Sequence, residues 1–419
     1  MSERYDLAII GAGIVGLATG LQILKRWQGL RLAILDKEPE VSVHQSGHNT
    51  GVIHAGIYYK PGSLKARLCR EGKAALERFA TERGIPFEHC GKLIVALHES
   101  ELPRMKALFE RGLANGVDGL VEIGPERLKE LEPHAVGIRA LFSPLTGTVD
   151  FRRVAFGYAD EVRSLGGEIL LNHQVTGITE SDGLRVLRTT GGDVMARWII
   201  SCAGLHSDRV AAMTGDAGNL RIVPFRGDYY TFKPEARSLV RSMINPVPDP
   251  AFPFLGVHFS RRIDGEVWAG PNAVLAFARE GYTLGRISPG DLMGTLGYPG
   301  FRKLVRKYLK TGLKEMWRDA WKPAFVEALR EYLPDLRGDQ LVFGPSGVRA
   351  QALDADGNLL DDFSFGESAN VLHVRNAPSP AATASLAIGR HLAELAEERF
   401  GMTPSARVAV PHPPPLPAP

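Results

Sequence analysis

Residues 7–16 read LAIIGAGIVG, and this stretch decides the fold. Four apolar residues in a row suit a strand buried on both faces of a parallel sheet. Gly11, Gly13 and Gly16 then fall at G-x-G-x-x-G spacing. Residues 14–27 follow with Leu17, Leu21 and Leu24 on one helical face. A second apolar run, residues 32–35 (LAIL), ends at Asp36, about 20 residues past the last glycine. Strand, glycine turn, helix, strand and terminal acid in this order predict a dinucleotide-binding unit. Gly11 permits the tight turn, Gly13 lets the backbone approach a phosphate, and Gly16 lets helix and strand pack closely. Ile14 and Val15 open the helix, whose free N–H groups and positive dipole end favour a pyrophosphate. Asp36, with Lys37 beside it, can accept hydrogen bonds from a ribose hydroxyl, which argues against a 2′-phosphorylated ribose.

Working outward, residues 44–68 read HQSGHNTGVIHAGIYYKPGSLKARL. Three histidines, two adjacent tyrosines, two lysines and an arginine crowd a glycine-interrupted segment. A loop running from a cofactor's pyrophosphate to its reactive ring could use all of them. Ser46, His48, Asn49 and Thr50 are its expected cofactor contacts. Residues 197–210 (RWIISCAGLHSDRV) form an apolar strand and a small-residue turn, with Ala203 and Gly204 placed to lie against a cofactor. Val175, in the strand 174–178 (QVTGI), is expected beside it. Residues 371–375 (VLHVR) read as a strand, and 376–396 (NAPSPAATASLAIGRHLAELA) open a helix. Ser379 is its expected N-cap and Pro380 its first residue. Pro378, Ala381 and Ala382 are then expected at the cofactor, where the helix end would stabilise negative charge on a reduced flavin. The fingerprint alone fits NAD or FAD. Nothing resembles a second nucleotide site, and the rest of the chain favours FAD.

The chain has 419 residues, 44% of them hydrophobic, and a mean hydropathy of −0.08. That suits a folded protein of two lobes. A net charge of +3 is too small to imply nucleic acid. Cys69, Cys90 and Cys202 are scattered without metal-ligand spacing, so a reducing compartment and no metal site are expected. The chain enters a strand within a few residues, so no export leader is expected. No apolar stretch is long enough to span a bilayer. A cytoplasmic location follows. Residues 401–419 form a Pro-rich tail, expected to be extended or disordered.

The expected class is α/β plus α+β, with a Rossmann-like FAD-binding domain interleaved with a substrate domain. Residues 1–90, 148–215 and 341–400 are assigned to the FAD-binding domain, with a strand at 168–172. Residues 91–147 and 218–340 are assigned to the substrate domain. Alternating runs at 228–233, 254–260 and 265–270 predict a mostly antiparallel sheet there. Residues 283–337 break the pattern with helix. Leu304, Tyr308, Leu313, Met316 and Trp317 fall roughly on one side, with Arg302, Lys303, Arg306, Lys307, Lys310 and Lys314 around it. Such a helix either packs on the substrate lobe or meets a membrane surface, through 298–318, that brings the flavin to a quinone. The membrane reading puts the protein on the inner face of the cell membrane.

Several further motifs join the fingerprint. They are QSGHNTGVIHAGIYYKPGSLKARLC (45–69), GKLIVA (91–96), VPFRGDYY (223–230), FPFLGVHFSRRIDGEVWAGPNAVLAF (252–277), GPSGVRAQALDADGNLLDDF (344–363) and VRNAPSPAATASLAIG (374–389). Together the sequence resembles the L-2-hydroxyglutarate dehydrogenases, also called oxidases. These are FAD enzymes of the D-amino-acid oxidase superfamily, which includes glycine oxidase and glycerol-3-phosphate dehydrogenase. The resemblance runs from about residue 4 to 400 and implies oxidation of a 2-hydroxy diacid to 2-oxoglutarate, with electrons passed to a quinone or oxygen. Another 2-hydroxy acid, an amino acid or glycerol 3-phosphate is the alternative substrate within that superfamily.

Such a reaction needs a base for the hydroxyl proton, a hydride acceptor, and cations for the carboxylates. The resemblance places Arg349 on a substrate carboxylate, where a guanidinium can give two parallel hydrogen bonds. It places Arg375 near the flavin as a second substrate contact. A structural ion pair is the plainer role for either. Tyr58, Tyr59 and Lys60 correspond to an anion-holding stretch in glycerol-3-phosphate dehydrogenases. Lys60 or Lys65 could hold the distal carboxylate, or both could be solvated. His258 and His54 compete as the base, since a neutral imidazole suits proton removal near neutrality. Asp228 could orient a base, with Arg226 supporting the site. A covalent flavin link through a histidine is left open.

Overall fold

The computed structural model describes residues 3–216, 218–248, 257–271, 274–283, 285–308 and 321–402. The first strand, Glu3–Ile10, is the centre of a sheet with eight strands among the described residues. It pairs in parallel with Leu32–Leu35 on one side and Val194–Ser201 on the other. Glu168–Leu170 and Val371–Asn376 extend the parallel core outward. The expected strand at 168–172 is therefore present but ends at Leu170. Val175–Ser181, Leu184–Thr189 and Ser364–Ser368 add antiparallel strands.

The helix Ile14–Arg26 packs its Leu17, Leu21 and Leu24 into the largest core, with Leu7, Ile9 and Ile34 from the sheet. The helix Ser385–Phe400 lies against it so closely that a Cβ on Gly389 would meet the Ala18 carbonyl oxygen at 2.6 Å. This helix starts later than expected. Ala384 is its N-cap, and Ser379 and Pro380 lie upstream in a turn. Pro380 does not start the helix because the 379–384 segment is spent wrapping the cofactor crevice described below.

Among the described residues the second sheet has nine strands and is antiparallel except where Met243–Pro246 runs beside Lys92–Ala96. Its backbone is the long pair Arg221–Phe232 and Leu341–Leu353. The strand 341–353 was expected in the FAD-binding domain. It belongs to the substrate sheet, so the chain crosses back after it. The strand expected at 254–260 appears as His258–Arg261, and 251–256 lie outside the described residues.

Alternation gives this sheet two different faces. Leu93, Val95, Tyr230, Phe232, Ile244 and Phe259 form an apolar core with Phe325, Leu329 and Leu333. The other face carries Lys92, Asn245, His258 and Tyr229, and of these Tyr229 lines the crevice described below. In the basic region, Pro289–Gly297 and residues 299–308 are helical. Leu304 is buried and Arg302, Lys303, Arg306 and Lys307 are exposed. Lys310, Leu313, Lys314, Met316 and Trp317 fall outside the described residues, as does the tail from 403 onward.

Candidate active site

One long crevice runs between the two sheets, and nearly every expected cofactor residue lines it. At its closed end stands the glycine turn. Gly11 has φ +108°, and a Cβ there would meet the Cys202 carbonyl oxygen at 2.5 Å. A Cβ on Gly16 would meet the Gly11 carbonyl oxygen at 1.9 Å, so Gly16 serves packing and does not line the crevice. Gly13, Ile14 and Val15 present the helix N-terminus to the cavity. Ser46 Oγ accepts a hydrogen bond from the Ile14 N–H at 2.9 Å, tying the histidine-rich loop to the same helix end. Asp36 Oδ2 accepts from the Ala12 N–H at 2.6 Å, which fixes the carboxylate at the crevice wall beside Lys37 and Val175. A carboxylate has lone pairs left for a ribose.

The loop 44–51 is held from several sides. Asn49 Nδ2 donates to the Ser46 carbonyl at 2.7 Å, and Asn49 Oδ1 accepts from the Gly51 N–H at 2.9 Å. Arg262 of the substrate sheet donates to the Asn49 carbonyl at 2.9 Å. His48 stacks on Tyr282 with ring centroids 4.2 Å apart. Thr50, Ala203, Gly204, Pro378, Ala381 and Ala382 line the middle of the crevice. These residues fit an extended dinucleotide: a glycine turn with no room for a side chain, an anion-favouring helix end, and an acid at the ribose position.

Sequence reasoning missed the residues that close this end. Glu280 accepts from His206 at 2.9 Å and pairs with Lys37 at 2.8 Å. Burial pushes its carboxyl upward, but the bonds from His206 and Lys37 outweigh this and hold it well below the usual carboxylate range. Arg279, one residue before, pairs with buried Asp208 at 2.8 Å and so fixes the segment bearing Glu280 and Tyr282. Glu38, His44 and Glu280 offer ligand atoms within 4.8 Å of one another. Lys37 binds both glutamates, so an ammonium already supplies positive charge there. Only the pairing in space, across some 240 residues of chain, reveals this group.

At the other end lies the expected chemistry. His54 and Arg349 both line the crevice. Burial and then the charges of Lys92, Lys65, Arg349 and His258 hold the His54 imidazole well below the ordinary histidine range. Its Nε2 is 3.1 Å from Ser379 Oγ, and its backbone N–H donates to Thr383 Oγ1 at 3.1 Å. Arg349 hydrogen-bonds Tyr229. His258 is half-buried on the same sheet face as Tyr229 but does not line the crevice itself.

Other expectations change. Arg375 lines the crevice, but it donates to Asp216 Oδ2 at 2.7 Å, so an ion pair holds it in place. Tyr58 and Tyr59 are set behind His54 rather than in the crevice wall, with the Tyr59 ring 6.4 Å from the imidazole. Lys60 is exposed and away from the cavity. It follows a turn at 56–59 that buries the tyrosines and turns the lysine to solvent. Lys65 is not solvated: it is 6% exposed and pairs with Asp361 at 2.9 Å. Asp228 does not orient a base. It is gripped by buried Arg226 at 3.0 Å and by Ser346, a structural pair within the sheet.

A family model for FAD dependent oxidoreductases matches residues 6–395. This chain belongs to that family. The FAD-dependent oxidoreductase is 50% identical to the mitochondrial L-2-hydroxyglutarate dehydrogenase of Nematostella vectensis, over 95% of this chain and 92% of the relative. It is 49% identical to the L-2-hydroxyglutarate dehydrogenase of Indibacter alkaliphilus, over 94% and 100% of the two chains. Against the human mitochondrial protein of that name the identity is 46%, over 95% and 90%. Among solved structures, the FAD-bound L-alpha-glycerophosphate oxidase of Mycoplasma pneumoniae superposes with a TM-score of 0.78 over 97% of both chains, at 22% identity. Glycine oxidase of Geobacillus kaustophilus gives 0.69 at 20% identity, over 95% and 96%. These structures share the fold.

Proposed function

We propose that this flavoprotein oxidises L-2-hydroxyglutarate to 2-oxoglutarate. The observation that carries the reading is a near-full-length match, at 46–50% identity, to relatives named for that substrate. The site agrees with it. Bound FAD supplies the hydride acceptor at its N5. Gly13, Ile14, Val15 and Ser46 would hold its pyrophosphate, and Asp36 its ribose. Arg349 would grip the carboxylate next to the reacting carbon, backed by Tyr229. His54, uncharged at neutral pH, takes the hydroxyl proton, and Ser379 holds the ring in place. His258, on the neighbouring strand face, is the second candidate for that role. Formation of 2-oxoglutarate from L- but not D-2-hydroxyglutarate tests the reading. Turnover of glycine, D-amino acids or glycerol 3-phosphate in its place would defeat it.

For the electron acceptor, we favour a quinone reached from a membrane surface over oxygen. Ile287, Met293 and Leu296 are 59%, 69% and 45% exposed around the helix Pro289–Gly297. Exposed Arg286, Arg302, Lys303, Arg306 and Lys307 are close in sequence to them. Exposed apolar side chains with cations nearby in sequence suit the interface of an anionic bilayer. No described helix is long and apolar enough to cross a membrane. We therefore favour a peripheral position on the cytoplasmic side of the cell membrane. Replacing Met293 with Asp should lower binding to anionic vesicles while soluble-acceptor activity persists. Unchanged vesicle binding would remove this surface.

A further inference from the structure

We infer that Lys92 is the anchor for the distal carboxylate of the substrate, the role that the sequence had offered to Lys60 or Lys65. The inference rests on the diacid reading above and deepens it.

Lys92 opens the strand Lys92–Ala96 and is 5% exposed. Among the described residues its ammonium meets the ring of Tyr58, 5.1 Å to the centroid, and has no carboxylate or hydrogen-bond acceptor. Buried ammonium groups are normally paired, because removing the charge from water is costly. Two neighbours are also unsatisfied. Tyr58 Oη and Asn245 Oδ1 are buried without hydrogen-bond partners. A buried polar atom left in this way calls for an explanation.

Strand register puts these groups on one face. Lys92 pairs with Met243, so Asn245, two residues on, shares its face. Ile244 pairs with Phe259, which sets Asn245 and His258 together on the opposite face. His258 pairs with Gly270, and Ala269 with Tyr230, which brings Tyr229 into the same row. Arg349 bonds Tyr229 at the far end. The row thus runs from a lysine to an arginine across one face of the sheet, and both cations act on the His54 imidazole. His54, Tyr229 and Arg349 line the crevice, and Lys92 and Tyr58 are set behind its wall. Lys65, the other lysine acting on His54, is already neutralised by Asp361. Burial lowers the Lys92 ammonium to about 8, which leaves it charged at neutral pH.

A dianion laid along this row would meet Arg349 at one end and Lys92 at the other, with Tyr58 Oη available as a second donor. A 2-hydroxy acid with an apolar tail would leave Lys92 buried and uncompensated. Discrimination of this kind comes from the unpaired group as much as from the contact.

The test uses the FAD-loaded enzyme and calorimetric binding of 2-oxoglutarate and of 2-oxopentanoate, which lacks the distal carboxylate. Lys92→Met is expected to weaken 2-oxoglutarate by about 30-fold or more and 2-oxopentanoate by about 3-fold at most. Flavin content should stay unchanged. Equal weakening of both ligands, or of neither, overturns the assignment. Should Lys92→Met fail to fold or to hold flavin, Tyr58→Phe decides, since it removes a hydroxyl that has no partner. A fall in the diacid-to-monoacid affinity ratio supports the subsite, and an unchanged ratio overturns it. If the unmodified enzyme does not prefer the diacid at all, the substrate reading fails and this inference falls with it.

Discussion

The imidazole of His54 and the hydroxyl of Ser379 stand 3.1 Å apart, although 325 residues separate them in the chain. The contact joins the loop leaving the dinucleotide fingerprint to the turn before the last helix. It fixes the orientation of the His54 ring, the proposed base, at the point where both segments line the crevice. Replacing His54 with Asn is therefore expected to slow flavin reduction by substrate about 10²–10⁴-fold. Ser379→Ala, which leaves the ring in place but less constrained, should cost about 10-fold or less. Rapid-mixing absorbance under anaerobic conditions measures both. An unimpaired His54→Asn enzyme would move the role to His258.

The same imidazole sets a pH expectation. Protonation of His54 disables it as a base, and its pKa lies well below the ordinary histidine range because burial and surrounding positive charge oppose the imidazolium. Activity attributed to the neutral ring is thus retained as pH falls past about 6.5 and is lost at a lower pH. The acid limb of kcat/KM for the unmodified enzyme should lie below that value. An acid limb at or above it would contradict the assignment.

Arg349→Lys keeps the charge but loses the forked geometry. The rate of flavin reduction at low substrate should fall about 10–100-fold. The ratio of flavin to protein absorbance should be unchanged, because the cofactor is held by other residues. Full activity would remove Arg349 from the carboxylate role.

Gly11→Ala probes the cofactor end. The residue sits at φ +108° with a carbonyl oxygen 2.5 Å from where the Cβ would lie. Strain of this kind costs about 1–3 kcal/mol. The variant should melt at lower temperature and retain less flavin. A fully loaded Gly11→Ala protein with the parental Tm would show that the turn is not what cradles the pyrophosphate.

Asp228→Asn separates structure from catalysis. Asp228 and Arg226 are each 2% exposed, and breaking a buried pair costs about 3–5 kcal/mol. Denaturant melts should show that loss while the pH profile of the folded fraction keeps its shape. A shifted acid limb without lost stability would restore Asp228 as a partner of the base.

The sequence made the cofactor half legible because its signals are local. The glycine spacing, the acid at the end of the second strand and the loop 44–51 lie within some 40 residues, and the backbone of that unit positions them. His54 and Arg349 were legible from the motifs around them. The substrate half depends on sheet register, which no short motif encodes. Lys60 looked eligible because it follows two tyrosines, yet a turn sends it to solvent. Lys92 stands in the quoted GKLIVA stretch but reads as the start of an apolar strand until its neighbours across four strands are known. Arg375 looked like a substrate contact and Asp228 like a group orienting the base because their ion-pair partners, Asp216 and Arg226, carry no mark in sequence. Glu280 lines the crevice and Tyr282 stacks on His48 from the other lobe, so no local pattern could name them.

The most direct test is anaerobic addition of each enantiomer of 2-hydroxyglutarate to the yellow, FAD-loaded protein while the flavin absorbance near 450 nm is followed. The account predicts that the L enantiomer bleaches the flavin and the D enantiomer does not. Flavin left oxidised by the L enantiomer, but bleached by glycine, a D-amino acid or glycerol 3-phosphate, would contradict it.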